Sequence, residues 1–132
     1  MLVNTMARRV IGKVELYVEG EHAEVGALFD AGATKSYVSF RLAERMGYSK
    51  YAEPKETLLA VENKTAYVVG DLLARVLVNG CELPVRHAFG VIDGLRHDVI
   101  IGMDLMEPYE VVLDVKEGKV GFKRYPPVLE II

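Results

Sequence analysis

An all-β fold with one or two short helices is what the sequence predicts, and three observations predict it. Of 132 residues, 51% are hydrophobic but only 8% aromatic, with no Trp, so the core is built from Val, Leu and Ile, which suit strands. Glu19-Gly20-Glu21, Asn79-Gly80 and Lys116-Glu117-Gly118 are turn signals, each set between apolar runs. The clearest helix punctuation is confined to one place, where Ser39 precedes and Gly47 follows a short apolar stripe.

Taken in order, Arg9 to Val18 alternates, with Val10, Gly12, Val14, Leu16 and Val18 on one side, which predicts a strand with one buried face. Ala23 to Phe29 returns as its hairpin partner and ends at Asp30. Lys35 to Val38 is a short extended piece, and Phe40 to Met46 is a helix with Leu42, Ala43 and Met46 on one face. Residues 48–56 are polar and contain Pro54, which predicts a loop. Thr57 to Val61 and Thr65 to Val78 are strands joined by Glu62-Asn63-Lys64, where Asn63 suits a left-handed turn position. Asn79-Gly80 then reverses Leu72–Val78 into a strand over Cys81–Val91, followed by a loop over Ile92–His97 and a short buried strand over Asp98–Ile101. Asp104 is placed to cap a turn through Leu105 and Met106, which Pro108 limits. Val111–Asp114 and Lys119–Lys123 form a last hairpin, and the tail from Pro126 to Ile132 is an apolar end.

A chain of this length is expected to form one domain, 1–132, with its core over about 10–124, because a second core leaves each half too small. The net charge of −3 argues against a nucleic-acid partner, whose affinity comes largely from clustered Lys and Arg. Arg8-Arg9 with Lys13 reads as a solvated strand end. Cys81 is the single cysteine, which excludes an intrachain disulfide and a Cys-built zinc site and fits a reducing, cytoplasmic setting. No apolar run approaches the ~18 residues of a membrane span, so no membrane association is expected. His22, His87 and His97 have no ligand spacing, and no metal or organic cofactor is expected.

The chemistry concentrates in Ala27-Leu28-Phe29-Asp30-Ala31-Gly32-Ala33-Thr34, an apolar run that delivers one carboxylate into a turn of small residues. An Asp-x-Gly step after a strand is also what an ordinary turn presents. A second feature, Asp98-Val99-Ile100-Ile101-Gly102-Met103-Asp104, follows after a β-rich middle. Together, in this order, these motifs resemble the retropepsin-like aspartic proteases, the single-domain type found in retroviruses and in eukaryotic DNA-damage-inducible proteins.

The resemblance implies a closed β-barrel with Asp30 as catalytic acid/base, Gly32 permitting close approach of two such loops, and Thr34 giving a hydroxyl to the carboxylate network. It also implies a flap hairpin, with Val61, Glu62, Asn63 and Lys64 at its tip, that contacts substrate together with Ile100. Peptide hydrolysis by aspartates needs two carboxyl groups around one water, one ionised and one neutral. The chain offers one suitable Asp, so the second must come from another copy, in a C2 homodimer whose terminal segments, Met1-Leu2-Val3 and Val128 to Ile132, are candidates for the interface. The expected partners are thus a second copy and an extended or unfolded polypeptide.

Three departures qualify that expectation. Ala31 stands where retropepsins usually carry a Thr or Ser whose hydroxyl crosses to the partner loop, the flap tip has no Gly, and Met103 replaces the Arg of many viral members. Two functions therefore stand side by side: an aspartic endopeptidase, and a non-catalytic dimeric peptide-binding or assembly module of the same fold. A pure binder gains nothing from two buried carboxylates that repel each other.

Overall fold

The computed structural model of the chain describes residues 8–59 and 63–127. It begins with a long hairpin of β1 (Arg9–Val18) and β2 (Glu21–Asp30), paired without a break from Val18↔Glu21 to Arg9↔Asp30. Gly20, with φ of 77°, makes the tight reversal possible. Val10, Val14 and Leu16 turn inward from β1, whereas Ile11 is 57% exposed, as the alternation requires.

β3 (Tyr37–Ser39) leads directly into α1 (Phe40–Met46). Ser39 Oγ accepts from the Leu42 N–H at 3.1 Å, and Gly47 closes the helix by donating to Ala43 O at 2.7 Å, the predicted cap at each end. Next come β4 (Ser49–Leu59), β5 (Lys64–Val78), β6 (Cys81–Glu82), β7 (His87–Ile92), β8 (Val99–Ile101), α2 (Met103–Met106), β9 (Val111–Asp114) and β10 (Lys119–Phe122). The main sheet runs β1-β2-β8-β3-β7-β5-β4, with β6 on β5, and β9 and β10 form a separate hairpin. A further pairing of β1 with β5 brings the sheet back onto itself.

Three expectations are corrected. Residues 49–56, expected as part of a loop, are strand continuous with the expected strand from Thr57, because β4 lies at the edge of the sheet and its register shifts between Lys50 and Lys55, so Pro54 falls in a bulge that asks for no ladder N–H. The strand expected over Cys81–Val91 is broken in two, β6 and β7, by the segment holding Pro84, and β7 extends to Ile92. Asp104 does not cap α2: Gly102 is the N-cap residue, without a side-chain bond, and the Asp104 carboxylate is engaged elsewhere. Met1-Leu2-Val3, Val61, Glu62 and Val128 to Ile132 lie outside the described residues.

Two apolar clusters result from the curl. Phe29, Val38, Val91, Val99 and Ile101 belong to the main core, while Leu28, Leu59, Ala66, Ile92, Leu95 and Ile100 form a second, smaller one. Neighbours along β2, β7 and β8 thus bury opposite faces, which is why those strands read as unbroken apolar runs. The second cluster lies on the face of β2 shared by Leu28 and Asp30.

Candidate active site

Asp30 is the last residue of β2 and is 1% exposed, a buried carboxylate at the point where the apolar run stops. The chain turns immediately: the Ala33 N–H donates to Asp30 O at 3.0 Å, and the Gly32 N–H donates to Asp30 Oδ1 at 2.8 Å. A Cβ on Gly32 would lie 3.2 Å from that same oxygen, so glycine leaves the carboxylate uncrowded. The other oxygen, Oδ2, faces Arg9 Nε at 3.5 Å. The Arg9 Nε is sealed from solvent with no hydrogen-bond partner among the described residues, while the Arg9 side chain as a whole is 32% exposed.

Arg9 is therefore part of the site rather than a solvated strand end. The signal was present in the hairpin register: a reversal about Gly20 that pairs Val18 with Glu21 places Arg9 directly opposite Asp30. A cation there offsets part of the cost of burying the aspartate.

The second motif clamps this turn from behind. β8 pairs in parallel with β2, Leu28 against Ile100 and Phe29 against Ile101, and so carries Gly102 to the turn. The N–H groups of Met103 and Asp104 donate to Ala33 O at 2.7 Å and Thr34 O at 3.1 Å, and the Gly102 N–H donates to Ser36 Oγ at 2.9 Å. Ser36 in turn donates to Asp104 through its hydroxyl, at 2.7 Å, and its backbone N–H, at 3.1 Å.

Thr34 is exposed, and its hydroxyl makes no bond to Asp30 in this chain. Ser36, buried at 2%, is the hydroxyl of this turn that meets a carboxylate, and sequence reasoning passed over it. Ile100 is fully buried beneath the turn, and together with Gly32, Ala33, Thr34, Tyr37, Leu58 and Leu59 it lines a small cavity of about 70 Å³. The hairpin of β4 and β5 overhangs it. Asn63, with φ of 49°, occupies the left-handed position of the connection, and Lys64 begins β5 and donates to Gly94 O at 3.3 Å.

Among the described residues no group of three or more His, Cys, Asp and Glu is placed to hold a metal ion. The polar contacts of the Asp30 carboxylate are with Gly32 and Arg9 alone among those residues, so a second carboxylate is not supplied within the described chain.

Residues 7–114 match the aspartyl protease family. The chain belongs to that family. It is 30% identical over 104 residues to DNA damage-inducible protein 1 of Neurospora crassa, covering 78% of this chain and 23% of that protein. The corresponding protein of Phaeosphaeria nodorum is 27% identical over 111 residues, or 82% of this chain and 25% of the relative. This aspartyl protease-family chain thus spans about a quarter of the length of the curated relatives it matches. Its fold matches the crystal structure of the retroviral protease-like domain of Ddi1 from Leishmania major, with a TM-score of 0.62 and 22% identity over 92% of this chain and 95% of the other. The retropepsin-like, mostly-β fold expected from the sequence is the fold observed.

No helix among the described residues is long and apolar enough to cross a membrane.

Proposed function

We propose that this chain is an aspartic endopeptidase that works as a C2 homodimer, hydrolysing peptide bonds in extended polypeptide with a water held between two copies of Asp30. The observation that carries the reading is the buried Asp30 carboxylate, presented at a strand end with one oxygen fixed by the Gly32 N–H, in a turn whose Gly32, Ala33 and Thr34 line a small cavity. One carboxylate takes a proton from the water as it attacks the carbonyl carbon, while the other, protonated, hydrogen-bonds the carbonyl oxygen. The tetrahedral intermediate collapses as a proton passes to the departing amine, with no covalent enzyme intermediate. The two carboxyls share one proton and titrate as a pair.

Substrate binds as an extended strand under the hairpin of β4 and β5, whose tip residues Val61, Glu62, Asn63 and Lys64 close over it, with Ile100 forming the floor below. Gly32 supports the approach of the two turns, and Thr34 is available on the surface for a bond across the dimer. The free Cys81 suits the reducing environment of the cytoplasm, where we place the protein.

A second reading, a dimeric peptide-binding module without catalysis, is favoured by Ala31, which has no hydroxyl to lock the two turns together. Cleavage of an unstructured peptide library by wild type and Asp30→Asn, over a range of pH and protein concentration, separates the two. The peptidase reading expects a bell-shaped pH profile, specific activity that rises with concentration, and an inert Asp30→Asn. Two inert but dimeric proteins leave the binding module.

A further inference from the structure

We propose that Lys35 selects an acidic side chain in the bound peptide, two residues away from an apolar side chain held beside Asp30; this rests on the peptidase reading above. Two cavities flank the Asp30 turn, the one of about 70 Å³ already described, whose wall sets Leu58, Leu59 and Ile100 beside Thr34, Lys35 and Thr57, and an outer one of about 290 Å³. They share three wall residues, Lys35, Tyr37 and Thr57. The Tyr37 hydroxyl and Thr57 Oγ1, 3.4 Å apart, join β3 to β4 and form the partition between them.

Charge is distributed unevenly about that partition. Lys35 is the single charged residue on the inner cavity, and it is exposed with no ion pair among the described residues. On the outer cavity two of the acids are already occupied: Asp71 accepts from the Tyr51 hydroxyl at 2.5 Å, and Asp104 accepts from Ser36. Lys55 is held over the Tyr51 ring at 5.0 Å. Glu56 also lines the outer cavity and repels a carboxylate that enters it. An anionic side chain is therefore best placed at the partition, against Lys35.

Strand geometry supplies the spacing. In an extended peptide, residues two apart project to the same side, about 7 Å from one another, so a chain crossing both cavities fills them with alternate side chains. The inner one takes an apolar group over Ile100, and the next side chain on that face meets the Lys35 ammonium. The pair formed is partly exposed, so the preference expected over the uncharged amide is about fivefold and weakens in high salt.

The test uses Asp30→Asn protein, which holds peptide without consuming it. A mixed library of unstructured peptides is prepared in which an apolar residue is followed or preceded, two positions away, by either Glu or Gln, and the recovered peptides are counted by mass spectrometry. The expected result is Glu over Gln by about fivefold, falling to parity in Asp30→Asn/Lys35→Gln and below parity in Asp30→Asn/Lys35→Glu. Equal recovery with Lys35 intact, or a Glu preference that survives Lys35→Gln, overturns the assignment. The same library is offered to wild type as a substrate. Cleavage without a Glu preference overturns the role of Lys35 and leaves the peptidase standing, whereas Glu-selective capture without cleavage by wild type overturns the peptidase and keeps Lys35 as a specificity residue of a binding module.

Discussion

The Ser36 hydroxyl donates to Asp104 Oδ1 at 2.7 Å while accepting from the Gly102 N–H at 2.9 Å, which ties the turn after Asp30 to the segment after β8. The two ends of this link differ in environment, because Ser36 is buried and Asp104 is exposed. Removing Ser36 orphans a buried backbone N–H, whereas Asp104 is exposed, so removing its carboxylate opens a surface position where water can take its place against Ser36. Ser36→Ala is therefore expected to destabilise by about 2 kcal/mol and Asp104→Ala by about 1 kcal/mol. Urea unfolding of the two single variants and the double variant checks the order, and a double variant equal to the sum of the singles would show that the residues are not coupled.

Gly102 allows that link to form at all. A Cβ there would sit 2.4 Å from Lys35 O and 2.7 Å from Ala33 O, both backbone atoms with no room to move aside. Gly102→Ala is expected to cost about 3 kcal/mol or more, or to prevent folding. Gly121→Ala is the control, since nothing lies within 4 Å of a Cβ at that position in β10 and its stability should stay within about 0.5 kcal/mol of wild type. Thermal melts of both variants decide the matter; similar midpoints would mean that the turn relaxes around Gly102.

Gly102 stood out as part of an Ile-Ile-Gly motif, but its partners, the carbonyls of Ala33 and Lys35, come from a distant segment that only β2–β8 pairing brings near. Local signals did identify the strand-end Asp30, the Ser39 cap, Gly47 and the Asn79-Gly80 reversal, because each depends on a few consecutive residues. The Ser36–Asp104 bond spans 68 positions and has no local signature. Pro54 is a related case: a proline argues against a central strand, while β4 is an edge strand with a bulge at that point. Arg9 was legible in principle, from the hairpin register alone.

His87 gives the fold a predictable response to acid. Its Nε2 lies 2.5 Å from the Tyr109 hydroxyl, and the rings meet edge-on at 5.3 Å. Burial holds the imidazole pKa below its ordinary value, against a smaller opposing pull from Asp104. Because the folded value lies below the unfolded one of about 6.5, the unfolded chain takes up the proton first as pH falls. The stability that neutral His87 contributes is therefore present above about pH 6.5 and is lost as pH drops from there toward the folded pKa. His87→Gln keeps a hydrogen-bond acceptor for Tyr109 but does not titrate, so the slope of stability against pH in this window should be shallower than in wild type. Equal slopes from denaturant titrations would show that His87 is not the group responsible.

Ala31 lies between Asp30 and Gly32 in the chain and is held through its own N–H, which donates to Arg8 O at 3.1 Å. Its methyl group offers nothing to a second copy of the turn, while a threonine places a hydroxyl where two symmetry-related turns would face each other. Each exchanged hydrogen bond is worth about 1 kcal/mol, and symmetry forms two, so Ala31→Thr is expected to tighten the proposed dimer by about 2 kcal/mol, close to thirtyfold. Sedimentation equilibrium measures the dissociation constant directly. If the site is shared between copies, the protein concentration at half-maximal specific activity must fall by the same factor, because a monomer carries only one of the two carboxylates that the water requires. A dissociation constant that falls while the activity curve stays in place would separate dimer formation from catalysis and assign the chemistry to a single chain.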